Sequence, residues 1–259
     1  MKKFIALVLS ALLLLTTTAC GSTEAESDLA YVQEKGTLIV GVTDFAPMDY
    51  KENDEWIGFD ADMAKAFAEY LGVECQLIEV NWDTKISELD SKSIDCVWNG
   101  MTLTDEVEKG MECSNAYCNN AQVVVVKNEV ADQYTTAEDC ADLTFAVEAG
   151  SAGEEAIAAL GYEYISVTTQ ADALMEVASG TSDACVIDLL MAGAMIGDGT
   201  SYPDLTYTAE LTTEKYGVGF RKGSDLAEKL NTFFAESYAD GSTMETAEQY
   251  GVQESVIEQ

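Results

Sequence analysis

Apolar strand-like runs alternate with amphipathic helical patterns along this 259-residue chain, and that order limits the available folds more than any other feature. In the first half, predicted strands at 37–42, 75–80 and 95–98 are separated by predicted helices at 60–71 and 84–89. Such β-α-β-α-β order favours a parallel sheet flanked by helices. The first half is therefore predicted to be an α/β unit.

The second half repeats this order after a valine-rich strand at 122–127. Its predicted elements are strands at 143–147, 164–167 and 184–187 and helices at 153–160 and 172–178. A local match accompanies the repeat, because ISELDSKSID at 86–95 and LMEVASGTSD at 174–183 each contain a helix, a Ser turn and an Asp before an apolar strand. We interpret the halves as two lobes of similar architecture, with chance similarity between α/β segments as the alternative.

The C-terminal segment is expected to return to the first half. A strand at 216–222, a helix capped by Ser224 and a last helix ending near 250 are predicted there. The chain would then cross between the lobes twice, which forms a hinge and makes the cleft between the lobes the expected ligand site. The predicted fold class is α/β with two lobes, each a mainly parallel sheet flanked by helices. Lobe 1 comprises residues 31–118 and 217–259, and lobe 2 comprises residues 119–216.

The N-terminal segment has the pattern of a lipoprotein export signal. Two lysines precede an apolar run at 4–15, which is shorter than the roughly 20 residues that a spanning helix needs and fits a secretory signal. The small residues before Cys20 resemble a lipobox, in which the cysteine is acylated. We predict a signal peptide at 1–19, lipidation of Cys20, a polar tether at 20–30 and a location on the outer face of the cytoplasmic membrane or in the periplasm. The alternative is an ordinary signal peptide and a soluble secreted protein.

Acidic residues dominate the charge, since 47 Asp and Glu stand against 13 Lys and Arg, for a formal net charge of −34. Such a surface disfavours nucleic acid and anionic lipid headgroups, and it favours cations in a cleft. Membrane contact is therefore expected only through the N-terminal lipid. The chain has no histidine, which excludes Ser-His-Asp and Cys-His catalysis and histidine-based metal sites. We predict no metal and no cofactor.

Six cysteines follow Cys20. Cys96 and Cys185 lie inside apolar strand-like runs, where a free thiol behaves as a small hydrophobe. We expect mostly free thiols, with disulfides as the alternative for an exported protein.

Six segments, taken in order, resemble those of the polar-amino-acid solute-binding proteins of ABC importers (family 3, periplasmic-binding-protein type II). They are GVTDFAPMDY, WIGFDADMAKAFAEYLG, SIDCVWNGMTLTDE, FAVEAGSAGE, SDACVIDLL and YGVGFRKGSDL. The resemblance runs from Lys35 to Gly251. It implies a two-lobe protein that closes on one amino acid and delivers it to an ABC permease and its ATPase. We expect a monomer.

The resemblance also implies ten ligand-binding positions: Asp44, Phe45, Trp82, Asn99, Gly100, Thr102, Glu148, Ser151, Ala152 and Asp188. Phe45 and Trp82 would be aromatic walls, and the loop at 99–102 would offer backbone carbonyl groups and a hydroxyl. The helix N-terminus at Ser151 and Ala152 would receive the ligand carboxylate. Asp188 would bind its ammonium group, and Glu148 would face its side chain.

Each of these positions also has a purely structural interpretation. Phe45 and Trp82 could be core aromatics, and Thr102 and its neighbour Thr104 could be local caps. Asp188 could be the N-cap of a helix at 189–196. The sequence leaves these alternatives open.

One departure from the family concerns the grip on the ligand carboxylate. The family has an arginine where this chain has Val107, and a guanidinium forms two charge-assisted bonds that no other side chain reproduces. Lys109 is expected on another helix face, and Arg221 in the returning strand away from the cleft. The acids of the predicted pocket, with no cation beside them, are Asp44, Glu148 and Asp188.

We therefore predict an extracytoplasmic solute-binding lipoprotein that captures an amino acid, cationic or amide-bearing, for an ABC importer. One alternative ligand is an amine without a carboxylate, attracted by acids and aromatic walls. The other alternative is a dehydratase-type enzyme on the same scaffold. Because such an enzyme needs cations to grip dicarboxylates and groups for acid–base work, we predict that the protein is not an enzyme.

Overall fold

The structure, a computed structural model, describes residues 27–259. Its helices are α1 (Asp28–Lys35), α2 (Phe59–Leu71), α3 (Lys85–Asp90), α4 (Asp105–Gly110), α5 (Ala152–Leu160), α6 (Gln170–Ser179), α7 (Leu189–Met195), α8 (Leu226–Asp240) and α9 (Ser242–Tyr250). Its strands are β1 (Thr37–Val42), β2 (Tyr50–Glu52), β3 (Glu55–Ile57), β4 (Glu74–Glu79), β5 (Cys96–Thr102), β6 (Glu112–Cys113), β7 (Cys118–Lys127), β8 (Phe145–Glu148), β9 (Tyr164–Val167), β10 (Ala184–Asp188) and β11 (Leu205–Phe220).

The predicted signal peptide and the predicted lipidation of Cys20 lie outside the described residues, as does most of the predicted tether. Helix α1 begins at Asp28, inside the segment 20–30 that we assigned to the tether. Ser27 caps it by accepting a hydrogen bond from the amide of Ala30 at 3.0 Å. None of the helices within residues 27–259 is long and apolar enough to cross a membrane.

One mixed sheet runs through both lobes in the order β4-β1-β5-β11-β7-β10-β8-β9, with β6 beside β11. The pairs β1–β4, β1–β5, β8–β9 and β8–β10 are parallel. Helices connect these parallel strands, as β-α-β crossovers require. The predicted α/β class and the mainly parallel sheet of each lobe are confirmed.

Strands β7 and β11 are the two segments that pass from one lobe to the other. They pair antiparallel, with Cys118 opposite Tyr216 at one end and Lys127 opposite Leu205 at the other. The β11 strand has 16 residues, whereas the sequence predicted a strand only from 216. Its first part is rich in Thr and Glu and is largely half-buried or exposed, so it lacks the apolar run that marks a buried strand. The lobe boundaries themselves remain a prediction.

The core follows the apolar periodicity. The four valines at 123–126 in β7 are all buried, which fits a strand covered on both faces. On α2, Met63, Phe67 and Leu71 bury one face against the sheet. Gly72 ends that helix in the left-handed conformation, at a φ of 77°, as the sequence indicated.

One predicted helix cap is shifted by a residue, and another is in its predicted position without a side-chain capping bond. The N-cap of α8 is Asp225, and Ser224 lies one residue earlier, where its hydroxyl accepts from the amide of Leu226 at 3.3 Å. Asp188 occupies the N-cap position of α7, but its side chain makes no capping bond there. Its carboxylate is bonded elsewhere, as described below.

All six cysteines of the described chain are free. Four of them, including Cys96 and Cys185, are buried, in agreement with their placement in apolar strands.

Candidate functional site

A cavity of about 310 Å³ lies between the two lobes. Lobe 1 contributes the start of α3, the end of β5 and the start of α4, while lobe 2 contributes the ends of β8 and β10 and the start of α5. Ligands of open α/β sheets bind at such carboxyl ends of strands. Eight of the ten predicted site residues line the cavity: Trp82, Asn99, Gly100, Thr102, Glu148, Ser151, Ala152 and Asp188.

Phe45 and Asp44 are the two predicted site residues outside the cavity wall. Phe45 is 1% exposed, because hydrogen bonds between Phe45 and Asp49 close a tight turn that places the ring in the core. The ring lies under the site, since a Cβ added at Gly100, whose φ is +54°, would be 2.4 Å from Phe45 Cε1. Phe45 therefore supports the binding loop from behind, and Asp44 remains exposed beside it.

The side chain of Asn99 holds the loop rather than offering itself to the cavity. Its Oδ1 accepts from the amide of Thr43 at 2.9 Å and from the Thr43 hydroxyl at 2.7 Å. Its Nδ2 donates to the Thr43 carbonyl at 3.0 Å and to Asp49 at 2.7 Å. These bonds join the ends of β1 and β5, so they fix the loop that the sequence placed at the ligand.

Asp60 is a support of this loop that the sequence did not reveal. Its Oδ2 accepts from the amide of Gly100 at 2.6 Å and from the Tyr117 hydroxyl at 2.7 Å. Burial raises the pKa of Asp60 to about 7. Burial and the charge of Asp60 raise the pKa of Asp49 well above its usual range. The sequence does show Asp60 as an acid in the first turn of the helix that follows Gly58. Acidic residues are common at helix N-termini, so this position alone does not reveal its role.

Asp188 is the centre of a hydrogen-bond network at the hinge. Its Oδ1 accepts from Asn120 Nδ2, from Gln122 Nε2 at 3.0 Å and from the Tyr216 hydroxyl at 2.6 Å, and its Oδ2 accepts from Gln170 Nε2 at 2.5 Å. The amides of Asn120 and Gln122 also donate to Glu214, at 2.6 and 2.8 Å. Burial, followed by the charge of Glu214, raises the pKa of Asp188 well above its usual range. The network ties β7, β10, β11 and α6 together.

Glu148 has the opposite environment. It is 2% exposed and lies on the cavity wall, and its Oε1 has no hydrogen-bond partner within residues 27–259. Burial raises the pKa of Glu148 to about 8, although the nearby charge of Lys85 lowers it. A buried carboxyl oxygen without a hydrogen-bond donor is unfavourable, so a donor group of a ligand would stabilise it.

Lys85 is a cation that the sequence did not place in the pocket. It lines the cavity and is 8% exposed, and its Nζ donates to the carbonyls of Trp82 at 3.1 Å and Gly150 at 2.9 Å. The expectation of acids without a cation is therefore wrong. The sequence shows Lys85 only as the start of a short helix, and nothing there distinguishes a lysine that crosses a cleft from one in solvent.

The N-terminus of α5 opens into the same cavity. The Ser151 hydroxyl caps the helix by accepting from the amide of Glu154 at 3.1 Å. The Glu154 carboxylate in turn accepts a hydrogen bond from the amide of Gly150 at 2.7 Å. Among the hydrogen bonds of the described residues, none uses the amides of Ala152 or Gly153 as donors. Ala152 lines the cavity, so its amide is available to an anion there.

Val107 lies on the cavity wall at the position of the family arginine. It packs in an apolar cluster that includes Trp82, and its amide donates to the Thr104 hydroxyl at 3.3 Å, which confirms Thr104 as a cap. Lys109 is exposed and pairs with Asp105, and Arg221 pairs with Asp28 and Asp95 away from the cavity. Both basic residues are where the sequence predicted them.

Comparison with known proteins agrees with this architecture. Residues 38–253 match the family described as bacterial extracellular solute-binding proteins, family 3. The arginine-binding extracellular protein ArtP of Bacillus subtilis (strain 168) is 31% identical over 251 residues, covering 93% of this chain and 94% of ArtP.

Two solved structures share the fold. The arginine-bound form of truncated ArgBP from T. maritima is 33% identical with a TM-score of 0.75, covering 80% of this chain and 99% of that one. The ancestral amino acid-binding protein AncCDT-1, described as a precursor of cyclohexadienyl dehydratase, is 30% identical with a TM-score of 0.79, covering 86% of this chain and 99% of that one.

A two-lobe α/β protein with a cavity between its lobes has the periplasmic-binding-protein type II fold, as predicted. This chain belongs to the bacterial extracellular solute-binding proteins, family 3.

Proposed function

We propose that this protein captures an amino acid outside the cytoplasmic membrane and delivers it to an ABC permease and its ATPase, without chemistry of its own. The observation that carries this proposal is the pairing, in one cavity, of a buried Glu148 oxygen and the Ala152 amide, neither of which has a hydrogen-bond partner within residues 27–259. One end suits an ammonium group and the other suits a carboxylate. A zwitterion satisfies both.

The lining favours an amino acid with a further positive or donor group. Besides Glu148 and Asp188, the wall contains Glu106, Glu154 and Glu155. The cavity has a volume of about 310 Å³. This value is near the lower end of the range for ligand pockets, which is about 300–1,000 Å³. ArtP is named as arginine-binding and the ArgBP structure is arginine-bound, and both relatives are similar along most of this chain. Arginine is the first ligand to test.

Isothermal titration of protein that has been unfolded and refolded to remove bound ligand tests this function. The panel is L-arginine, L-lysine, L-histidine, L-glutamine, L-glutamate, L-aspartate and putrescine. We expect a basic or amide amino acid to bind most tightly. Binding of glutamate or aspartate alone would contradict the acidic-pocket argument, and binding of putrescine alone would favour the amine alternative.

Delivery to an importer is tested in cells. Deletion of the gene is expected to reduce uptake of the radiolabelled ligand that titration identifies. Unchanged uptake would separate binding from transport and would contradict the importer role.

We also propose that Cys20 carries the lipid anchor and that residues 1–19 are the signal peptide. The support is the sequence pattern together with the extracellular family. The variant Cys20→Ser is expected to leave the membrane fraction, while the wild-type protein stays with it. Release of both proteins from membranes would support the soluble alternative.

A further inference from the structure

We infer that Lys85 holds the ligand carboxylate and replaces the arginine that is missing at Val107. This inference rests on the proposed function, because it names the group that binds one end of an amino acid. Lys85 comes from α3, one helix before α4, so the cation enters the cavity from a different element than the family arginine would.

The position of the Lys85 ammonium supports this role. It is buried between the lobes, with Nζ 5.0 Å from the centroid of the Trp82 ring. Two of its N–H groups are used by the carbonyls of Trp82 and Gly150. An ammonium group has three donors, so one N–H is left for a ligand.

The Lys85 ammonium also has no carboxylate in ion-pair contact within residues 27–259. This is so although Glu148 lies in the same cavity. Burial lowers the pKa of the Lys85 ammonium, and the nearby charges of Glu106, Glu148, Asp83 and Glu154 offset this only in part. A ligand carboxylate would supply the direct ion pair that these acids do not form.

The cation and the helix N-terminus converge on one place. Lys85 Nζ contacts the carbonyl of Gly150, which is two residues before Ala152, the first residue of α5. A carboxylate at this point can accept from Lys85 of lobe 1 and from the amide of Ala152 of lobe 2. Such a carboxylate would bind both lobes and favour the closed form.

The same geometry gives the ligand its orientation. With the carboxylate at Lys85 and α5, the positive groups of the ligand lie towards Glu148 and Asp188, which line the remainder of the cavity. Lys85 and Glu148 do not pair with each other, so a zwitterion can bridge them. The pocket therefore has a cationic end at Lys85 and an acidic end at Glu148, and the lysine takes the place of the family arginine.

The test compares ligands with and without a carboxylate on the variant Lys85→Met. The probes are L-arginine and its decarboxylated counterpart agmatine. If titration of the panel ranks another basic amino acid higher, the pair is replaced by L-lysine with cadaverine or by L-histidine with histamine. We expect Lys85→Met to weaken the amino acid roughly 10- to 100-fold, the effect of one charge-assisted hydrogen bond. Agmatine affinity is expected to change less than about 3-fold, because agmatine has no group for Lys85 to bind.

Two controls keep the result interpretable. Lys109→Met removes an exposed lysine outside the cavity and is expected to change neither affinity. Lys85→Gln keeps a donor for the Gly150 carbonyl without the charge, so it serves if Lys85→Met unfolds, and it is expected to show the same selective loss.

The outcomes separate this inference from the proposed function. If wild-type protein binds no amino acid, the proposed function fails. If wild-type protein binds one and Lys85→Met weakens the amino acid and the amine equally, Lys85 acts only as a contact between the lobes and the inference is overturned. Unchanged affinity for both probes overturns it as well.

Discussion

Asp188 and Glu148 are two buried acids of the same cavity with opposite surroundings. Asp188 accepts four side-chain hydrogen bonds, from Asn120, Gln122, Tyr216 and Gln170. Glu148 has an oxygen with no partner in the described chain. Both carboxyl groups have raised pKa values because both are buried.

The difference indicates that burial and charge alone do not identify a binding acid. The protein saturates Asp188 with its own donors, and those donors come from elements that meet at the hinge. Glu148 keeps an oxygen to which no described residue donates a hydrogen bond, so a ligand can donate to it. We therefore expect Asp188 to contribute most to stability and Glu148 to contribute most to affinity, although the resemblance gives the ammonium to Asp188.

The largest effect is expected for Asp188→Ala. The substitution leaves the Tyr216 hydroxyl and the Gln170 amide without an acceptor, whereas Asn120 and Gln122 keep Glu214. We expect a loss of about 2–4 kcal/mol in the free energy of unfolding, since each orphaned buried donor costs about 1–3 kcal/mol. Urea denaturation measures it. If Asp188→Ala kept its stability but lost ligand affinity, Asp188 would be the binding acid and the comparison with Glu148 would be reversed.

Glu148→Gln is expected to have the next largest effect, and it should fall on affinity. The variant removes the charge while keeping the shape, so affinity for a basic amino acid should fall roughly 10- to 50-fold by isothermal titration. Stability at pH 7 should be unchanged or higher, because folding must protonate the buried carboxyl group of the wild type, whereas the amide of the variant is neutral in both states. Glu129→Gln, at an exposed position of lobe 2, is the matched control. A loss of stability without a loss of affinity would make Glu148 a structural acid.

The sequence predicted the fold better than the site, and particular residues show why. Strands such as the valine run at 123–126 are visible because every residue is apolar. The first part of β11 was missed because it is polar and pairs along the hinge, which only the tertiary structure defines. Trp82 fits both of its predicted interpretations, since it lies in an apolar cluster and on the cavity wall.

The residues that support the site could not be predicted from the sequence, and the reason is physical. Lys85, Asp60 and Tyr216 act through contacts with residues at least 28 positions away, so no local pattern records them. Phe45 was placed at the ligand by resemblance, but the turn at 45–49 packs it under Gly100. Asn99 was expected at the loop and is there, with its side chain fully used by Thr43 and Asp49.

The last prediction concerns protons and sharpens the role of Glu148. Without ligand, Glu148 stays protonated up to about pH 8, whereas the group ordinarily ionises near 4.5. The folded protein therefore binds an extra proton between these values, and stability relative to Glu148→Gln should fall as pH rises from about 4.5 to about 8, with no further change above that range.

Binding of a cationic group requires the charged carboxylate, so the ligand should displace that proton. We expect release of about one proton per ligand near pH 7 and about one fewer in Glu148→Gln, because the amide cannot ionise. Titration calorimetry in phosphate and in Tris, whose ionisation enthalpies differ, measures the proton count. Equal proton release in the two proteins would show that the ligand binds without ionising Glu148, and the oxygen that lacks a partner would then accept a hydrogen bond from a neutral donor instead.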